Sequence, residues 1–413
     1  MIFSLPSLVI IEFWEDIDWF QSSGIALVGG VLGVIFAMPI RRALILNEPM
    51  DYMEGTATAE VINAMLPPQY IIGTPDYIRQ QRRNRKSILL LLLGVFFGAA
   101  MKMCASTFFL WQELAHWGIW VASKFVIFYG MTFSPSLTSV GYIVGWRGAT
   151  NMLIGSVLCW WVFTPVLMVY EGINYPPDAP AVKSAVYIWG AYTRFIGIGS
   201  MLLGGAAILL ILIKPLVVST VRSAELFWQY RKKGISNVPL AERDLPSLLV
   251  LIILLLLIVP LSWICWNFSR SIPVTAFSIF GTILFGFLFS CITAYMAGFG
   301  ASQNPILGVT LSTIILSALV LLLILGFENP IGPPCTILLG SFICCVASVS
   351  GESLQDYKTG HIVGSTPWKQ QIMQTVGLFG PALVVPVIIS LLIKAYGIGQ
   401  ASENVRKLEN SNH

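Results

Sequence analysis

The chain has 413 residues, of which 56% are hydrophobic and only 11% charged, with a mean hydropathy of +0.78. A soluble globular domain carries about 25% charged residues, so a water-soluble enzyme or nucleic-acid-binding module is excluded and a polytopic membrane protein is implied. The formal net charge of +4 carries no message about nucleic acid. What counts is where the basic residues fall relative to the apolar runs.

In chain order, Met1 leads straight into the apolar FSLPSLVII. Neither a basic n-region nor a small-residue cleavage site precedes the acidic EFWEDIDWF, so no cleavable signal is expected. Up to eleven membrane-embedded segments follow, at about 1–12, 24–40, 87–106, 114–130, 150–170, 186–212, 247–268, 274–297, 305–326, 332–350 and 372–393. The first is too short to span unless tilted. The expectation is an all-α polytopic membrane protein of about 10–11 membrane-embedded helices, some re-entrant or broken. These would form a single bundle over 1–393, followed by a polar tail at 394–413.

Orientation follows from Lys and Arg in the loops. Loops 41–86 and 213–246 together carry thirteen basic residues, against Lys183 alone in the proline-rich 171–185. Both basic loops are predicted to be cytoplasmic. That agreement requires 87–106, 114–130 and 150–170 all to cross. Counting onward puts the tail outside, whereas its Lys394, Arg406 and Lys407 argue for inside. A re-entrant 332–350, opened by Gly332-Pro333-Pro334, would reconcile the two.

The stretch from Met131 to Tyr170 draws attention because its first half is punctuated by Pro135, Gly141 and Gly145 and closed by Arg147. Backbone interrupted at membrane depth must be satisfied by protein or cavity water, and broken helices build substrate sites in secondary transporters. Equally, this is a loop between spans with Arg147 as an interfacial anchor. Other polar stretches intrude on apolar surroundings, where a charge costs about 2.5–3.5 kcal/mol at a helix centre by insertion scales. They are DYMEGTATAEV with Glu54 and Glu60, MAGFGASQNPILG with Asn304, and SGESLQDYKTGHIVGSTPWKQQ with Glu352, Asp356, Lys358 and His361. Gly55 separates a loop carboxylate from a helical one, or both glutamates are solvated. Arg194, inside an apolar run, needs a carboxylate or helix-end carbonyls as partner.

The seven cysteines form no CxxC pair, and neither HExxH, a P-loop nor GxSxG occurs. No catalytic residue, metal site or cofactor is expected; Asp244 sits in a basic loop.

The segments GTATAEV (55–61), SPSLTSVGYIVGWR (134–147) with WWVFTP (160–165), YTRFIGIGSMLLGG (192–205), AGFGASQNPILG (297–308) and DYKTGHIVGSTPWKQQ (356–371) occur in this order. Together they resemble the oligopeptide transporter (OPT) family in its prokaryotic and yellow stripe-like branch. Met53 stands where that family usually has proline, and Gly351-Glu352 where it usually has Gly-Asp. The resemblance implies a chain shorter than the typical member at both ends. It also implies secondary active, proton-coupled transport of small peptides or of peptide-like or metal-chelate substrates, in the plasma membrane of a prokaryote. The expected partners are substrate, protons and the lipid bilayer, with no nucleic acid, and either a homo-oligomer or a completing subunit. On this reading Ser134, Tyr142, Arg147, Arg194 and Asn304 bind substrate. Glu54 and Glu60 carry the coupling proton, while Glu352, Asp356 and Lys358 hold a polar loop. The alternative is a non-transporting membrane subunit that another polypeptide completes.

Overall fold

The computed structural model describes residues 4–47, 50–66, 75–108, 110–111, 114–121, 124–170, 180–233, 243–299, 304–325 and 332–396. In chain order the helices are α1 (Pro6–Ile10), α2 (Trp19–Arg41, continued by a π-turn Arg42–Asn47), α3 (Met53–Met65) and α4 (Pro75–Ser106). Next come strands β1 (Leu114–Val121) and β2 (Phe125–Thr132), then α5 (Pro135–Val157), α6 (Thr164–Tyr170), α7 (Ala181–Ile188) and α8 (Arg194–Lys233). The last are α9 (Ser247–Ser269), α10 (Ile272–Phe299), α11 (Asn304–Leu325), α12 (Gly332–Val363), α13 (Pro367–Gly377) and α14 (Phe379–Tyr396). Among the described residues eight helices are long and apolar enough to cross a membrane, and Leu137–Trp146 and Gly308–Leu322 are shorter apolar helices. This is an all-α polytopic membrane protein.

Two sequence expectations need correction. Residues 114–130 are not a membrane helix but most of an antiparallel hairpin, in which Trp117 pairs with Tyr129 and Ile119 with Ile127. The stretch is rich in aromatic and β-branched residues, which favour strands. A hydropathy window cannot tell such a strand pair from a buried helix. Val126 and Phe128 turn inward onto Ala185 and Ile188, while Trp117 stacks on Tyr129 on the other face at 5.9 Å. The second correction concerns 350–371. Glu352, Asp356 and Lys358 do not lie in a loop; they extend the continuous helix α12, 32 residues long, so 332–350 is no re-entrant stub.

The chain divides into two compact units: residues 1–55, 204–298 and 302–413, and residues 56–203 with 299–301. In the first unit α12 is central. Its Phe342 and Val346 share one core with Leu32 and Phe36 of α2, Leu261 and Ile264 of α9, Val274 of α10, Leu321 of α11 and Ile389 of α14. Neighbour pairs fix the directions. Gly29 of α2 lies on Cys345, and Gly281 and Gly286 of α10 lie on Leu339 and Val346. Ala297 accepts a hydrogen bond from Gln355, so α2, α10 and α12 run the same way. Thr310 and Ile314 of α11 meet Cys344 and Gly340, and α14 passes from Gly30 at Leu378 to Asp16 at Lys394. Both therefore run opposite. The Asp16–Lys394 ion pair (2.6 Å) marks one end of this unit, and the ammonium holds the Asp16 carboxyl below its ordinary value. Arg41 and Asp244 mark the other. The end of α14 thus lies at the end of the unit opposite Arg41 and Asp244.

In the second unit, α5 is broken where the sequence predicts. Gly145 has φ 75° and ψ 173° inside the helical run, a region open essentially to glycine alone and costing other residues about 1–3 kcal/mol. Gly145→Ala is expected to straighten the helix, lengthening the distance between spin labels at Leu137 and Ile154. An unchanged distance would show that packing, not the glycine, sets the bend.

Candidate functional site

In the first unit, the sequence MDYMEG (50–55) is held against the polar turn of α12. Tyr52 is fully buried. Its hydroxyl donates to the Ala294 carbonyl (3.1 Å) and its amide to the Gly298 carbonyl (3.4 Å). Its φ of 44° is left-handed, at a cost of roughly 1–2 kcal/mol, which these anchors offset. Burial pushes the Tyr52 phenol well above its ordinary pKa, so it remains a donor at every physiological pH.

Gly55 lies in the first turn of α3, where backbone N–H groups have no partner within the helix. Gln355 reaches in from α12 instead: its Oε1 accepts from the Gly55 amide (2.9 Å), and its Nε2 donates to the Ala297 carbonyl (2.9 Å). Thr359, one turn along α12, donates to the Gly55 carbonyl (2.8 Å), and the Lys358 ammonium donates to the Met50 carbonyl (2.6 Å). A Cβ on Gly55 would run into the backbone carbonyl of Gln355, so the approach needs glycine. Three of the sequence segments (55–61, 297–308 and 356–371) thereby contribute to one polar joint.

Carboxylates gather beside that joint. Glu54 is half-buried in the first turn of α3. Glu352 and Asp356 lie one turn apart on α12 and so share a face. Asp356 and Glu54 are the charges that act on Glu352. Lys358 serves the Met50 carbonyl, and the Asp356 carboxylate accepts from Gln374 Nε2 (3.0 Å). Asp356 and Lys358, two residues apart, thus each bond to a different segment.

At the same end lies a network that the sequence reading missed. Arg41 and Arg42 open the basic stretch 41–86, yet they are only 1% and 4% exposed. Asp244 accepts from Arg41 Nη2 (3.0 Å), Arg42 Nε (2.6 Å) and Gln371 Nε2 (2.8 Å). Gln371 Oε1 in turn accepts from the Leu245 amide (2.9 Å), and the Arg41 guanidinium lies 6.0 Å from the Tyr357 ring. The contact puts the start of loop 41–86 and the end of loop 213–246 at one end of the unit. That agreement does not depend on 114–130 as a crossing. A signal was available: Asp244 is a lone aspartate just before an apolar span.

In the second unit the segments WWVFTP and YTR face each other. Each lies in or beside a widened helical turn, Leu158–Phe163 and Trp189–Thr193, a feature frequent at functional sites. Trp160 stacks on Trp189 at 5.9 Å, and the Thr164 and Thr193 hydroxyls are 3.2 Å apart. Arg194 follows directly, its guanidinium 5.2 Å from the Phe195 ring. Its Nε is buried without a hydrogen-bond partner among the described residues, so the expected carboxylate pairing at that atom is not seen.

The remaining predicted residues are more scattered. Ser134 is the N-cap residue of α5; its carbonyl accepts from the Thr138 hydroxyl (3.1 Å). Tyr142 is 89% exposed. Arg147 follows the Gly145 break, and Asn304 opens α11; their side chains lie outside the described set. Glu60 is exposed on α3. No group of three His, Cys, Asp or Glu residues suited to a metal ion occurs among the described residues.

Residues 1–409 match the family model described as "OPT oligopeptide transporter protein". A Haemophilus influenzae protein named "Putative oligopeptide transporter" is 30% identical over 97% of this chain and 63% of its own length. An iron-phytosiderophore transporter of Oryza sativa subsp. japonica is 24% identical over 90% of this chain and 55% of its own length. A metal-nicotianamine transporter of Arabidopsis thaliana is 22% identical, with 89% and 53% covered. The chain therefore spans between about half and 63% of the length of these relatives. No solved structure matches it significantly.

Proposed function

The chain belongs to the OPT oligopeptide transporter family, and from that premise we propose that it carries out secondary active, proton-coupled transport of small peptides or of peptide-like or metal-chelate substrates. The proposed setting is the plasma membrane of a prokaryote, with loops 41–86 and 213–246 facing the cytoplasm. The observation that carries this reading is the polar joint of Met50, Tyr52, Gly55, Ala297, Gln355, Lys358 and Thr359, with carboxylates beside it. Polar groups inside an apolar bundle are costly and mark substrate or ion pathways.

In this reading Glu54 and Glu60 carry the coupling proton, and Lys358 holds the 50–55 segment through the Met50 carbonyl while Asp356 ties α12 to Gln374. Arg194 and Arg147 are assigned to a substrate carboxylate, a role that suits the buried, unpartnered Nε of Arg194. Ser134, Tyr142 and Asn304 complete the proposed substrate set, through hydroxyls, an amide and the broken backbone beside them.

The test is uptake of labelled di- to tetrapeptides, and of a metal chelate, into proteoliposomes holding this chain alone under an imposed pH gradient. Glu54→Gln and Glu60→Gln are expected to abolish pH-driven uptake in at least one case while sparing substrate exchange without a gradient. Retained pH-driven uptake in both variants, with loss in Asp356→Asn, would reverse the assignment. No uptake or exchange by the chain alone, restored by a co-expressed second membrane polypeptide, would favour the alternative of a subunit that needs completion.

A further inference from the structure

The helix α4 carries a feature that the transport reading does not use. Residues 87–106 are almost wholly apolar, and the span is only 6% buried. Leu90, Val95 and Phe96 are 67%, 63% and 74% exposed. In a membrane protein such a surface faces lipid. Twenty helical residues rise about 30 Å, the thickness of the hydrocarbon core, so Lys86 falls at its boundary.

The preceding turns are basic. Arg79, Arg82, Arg83 and Lys86 recur at i, i+3, i+4 and i+7 and share one helix face, and all four are exposed. On the opposite face Asn84 is buried, donating from Nδ2 to the Leu66 carbonyl (3.1 Å), so the turn is fixed against its own unit with the basic face outward. Asp76 is the only acid between residues 75 and 106. A shallow cavity of about 230 Å³ is lined by Asp76, Arg79, Gln80 and Arg83. At 1.5 Å per residue, Arg82 to Lys86 lie within about 6 Å of the hydrocarbon edge and Arg79 within about 11 Å. The headgroup layer is roughly 5–8 Å deep on each side.

We propose that the Arg79–Lys86 face of α4 binds the phosphodiester headgroups of anionic phospholipids. Guanidinium groups pair with phosphate oxygens in forked geometry, and the stripe runs along the helix where those oxygens lie. Positive charge at this depth is attracted to an anionic leaflet and screened within a Debye length.

The full chain, reconstituted in phosphatidylcholine containing spin-labelled phosphatidylglycerol or spin-labelled phosphatidylcholine, provides the test. The motionally restricted fraction should favour phosphatidylglycerol several-fold, and that preference should fall between 0.05 and 0.5 M salt. The variant Arg79→Gln/Arg82→Gln/Arg83→Gln/Lys86→Gln should lose most of it, while Arg270→Gln retains it. A second variant, with the three arginines replaced by lysine, keeps the charge and should retain part of the preference, separating headgroup binding from misfolding. A preference unchanged in the glutamine variant would overturn the proposal. So would one abolished equally by millimolar inorganic phosphate, which would mean a free-phosphate site.

Discussion

Replacing Asp244 by asparagine is expected to lower the stability of the protein by roughly 3–5 kcal/mol, the cost of removing one partner from a buried ion pair. The Arg41 and Arg42 side chains are only 2% and 5% exposed, and the Asp244 side chain 11%. Water therefore replaces the lost carboxylate poorly. Asparagine keeps the shape and one acceptor oxygen but not the charge. Thermal unfolding of the detergent-solubilised protein reads the effect as a drop in Tm. The triple variant Asp244→Asn/Arg41→Gln/Arg42→Gln should be less destabilised than the sum of its parts, because a pair removed together strands no charge. If Asp244→Asn melts with the wild type, the contact is an exposed ion pair worth about 0–1 kcal/mol, and the burial argument fails.

The second large effect is expected at Gly55. An alanine there places a methyl group against the Gln355 backbone carbonyl, which belongs to the central helix and cannot yield without moving α12. Overpacking costs typically 1–3 kcal/mol. Separating the segments adds the loss of the bonds from Gln355, Lys358 and Thr359, at about 1 kcal/mol each. Gly55→Ala should thus cost roughly 4–6 kcal/mol and speed amide exchange at Tyr52, whose N–H is bonded to Gly298. Gly94→Ala is the control, since a Cβ there meets nothing within 4 Å. Equal melting of Gly55→Ala and Gly94→Ala would show that the joint is loose. Gln355→Ala should fall between them, leaving the Gly55 amide unpartnered at roughly 1–3 kcal/mol.

On the proposed transport reading these effects matter because the joint and the Asp244 network lie at one end of the same unit. A carrier changes which end of its site is open, and contacts broken and remade in that change must be strong enough to hold each state. A joint made of backbone groups, two hydroxyls, one glutamine and one half-buried lysine can release and reform without separating a buried ion pair. The Arg41–Arg42–Asp244 network is less suited to release, since opening it separates three charges that are buried together.

Membrane class and most spans followed from the sequence because twenty apolar residues in a row have one low-energy arrangement in lipid, a helix with its backbone bonds closed. The break in α5 was legible for a similar reason: a lone glycine amid Pro/Gly punctuation marks where the backbone can leave the helix. The order of five polar segments was enough to identify the family. What composition could not distinguish was partnership. Residues 114–130 are as apolar as a helix, and only cross-strand pairing, Trp117 on Tyr129, with packing of Val126 and Phe128 on α7, makes them a hairpin. Residues 350–363 are polar enough for a loop, yet Lys358 and Thr359 find acceptors, and Gln355 a donor, on the 50–55 segment 300 residues away, so the helix continues. Arg41, Arg42 and Asp244 likewise read as loop charges until the antiparallel course of α2 and α9 brings them within hydrogen-bonding distance. Local hydropathy determines which segments enter the membrane. Whether a polar residue there is solvated or built into the bundle depends on a partner distant in sequence, and only the tertiary structure supplies it.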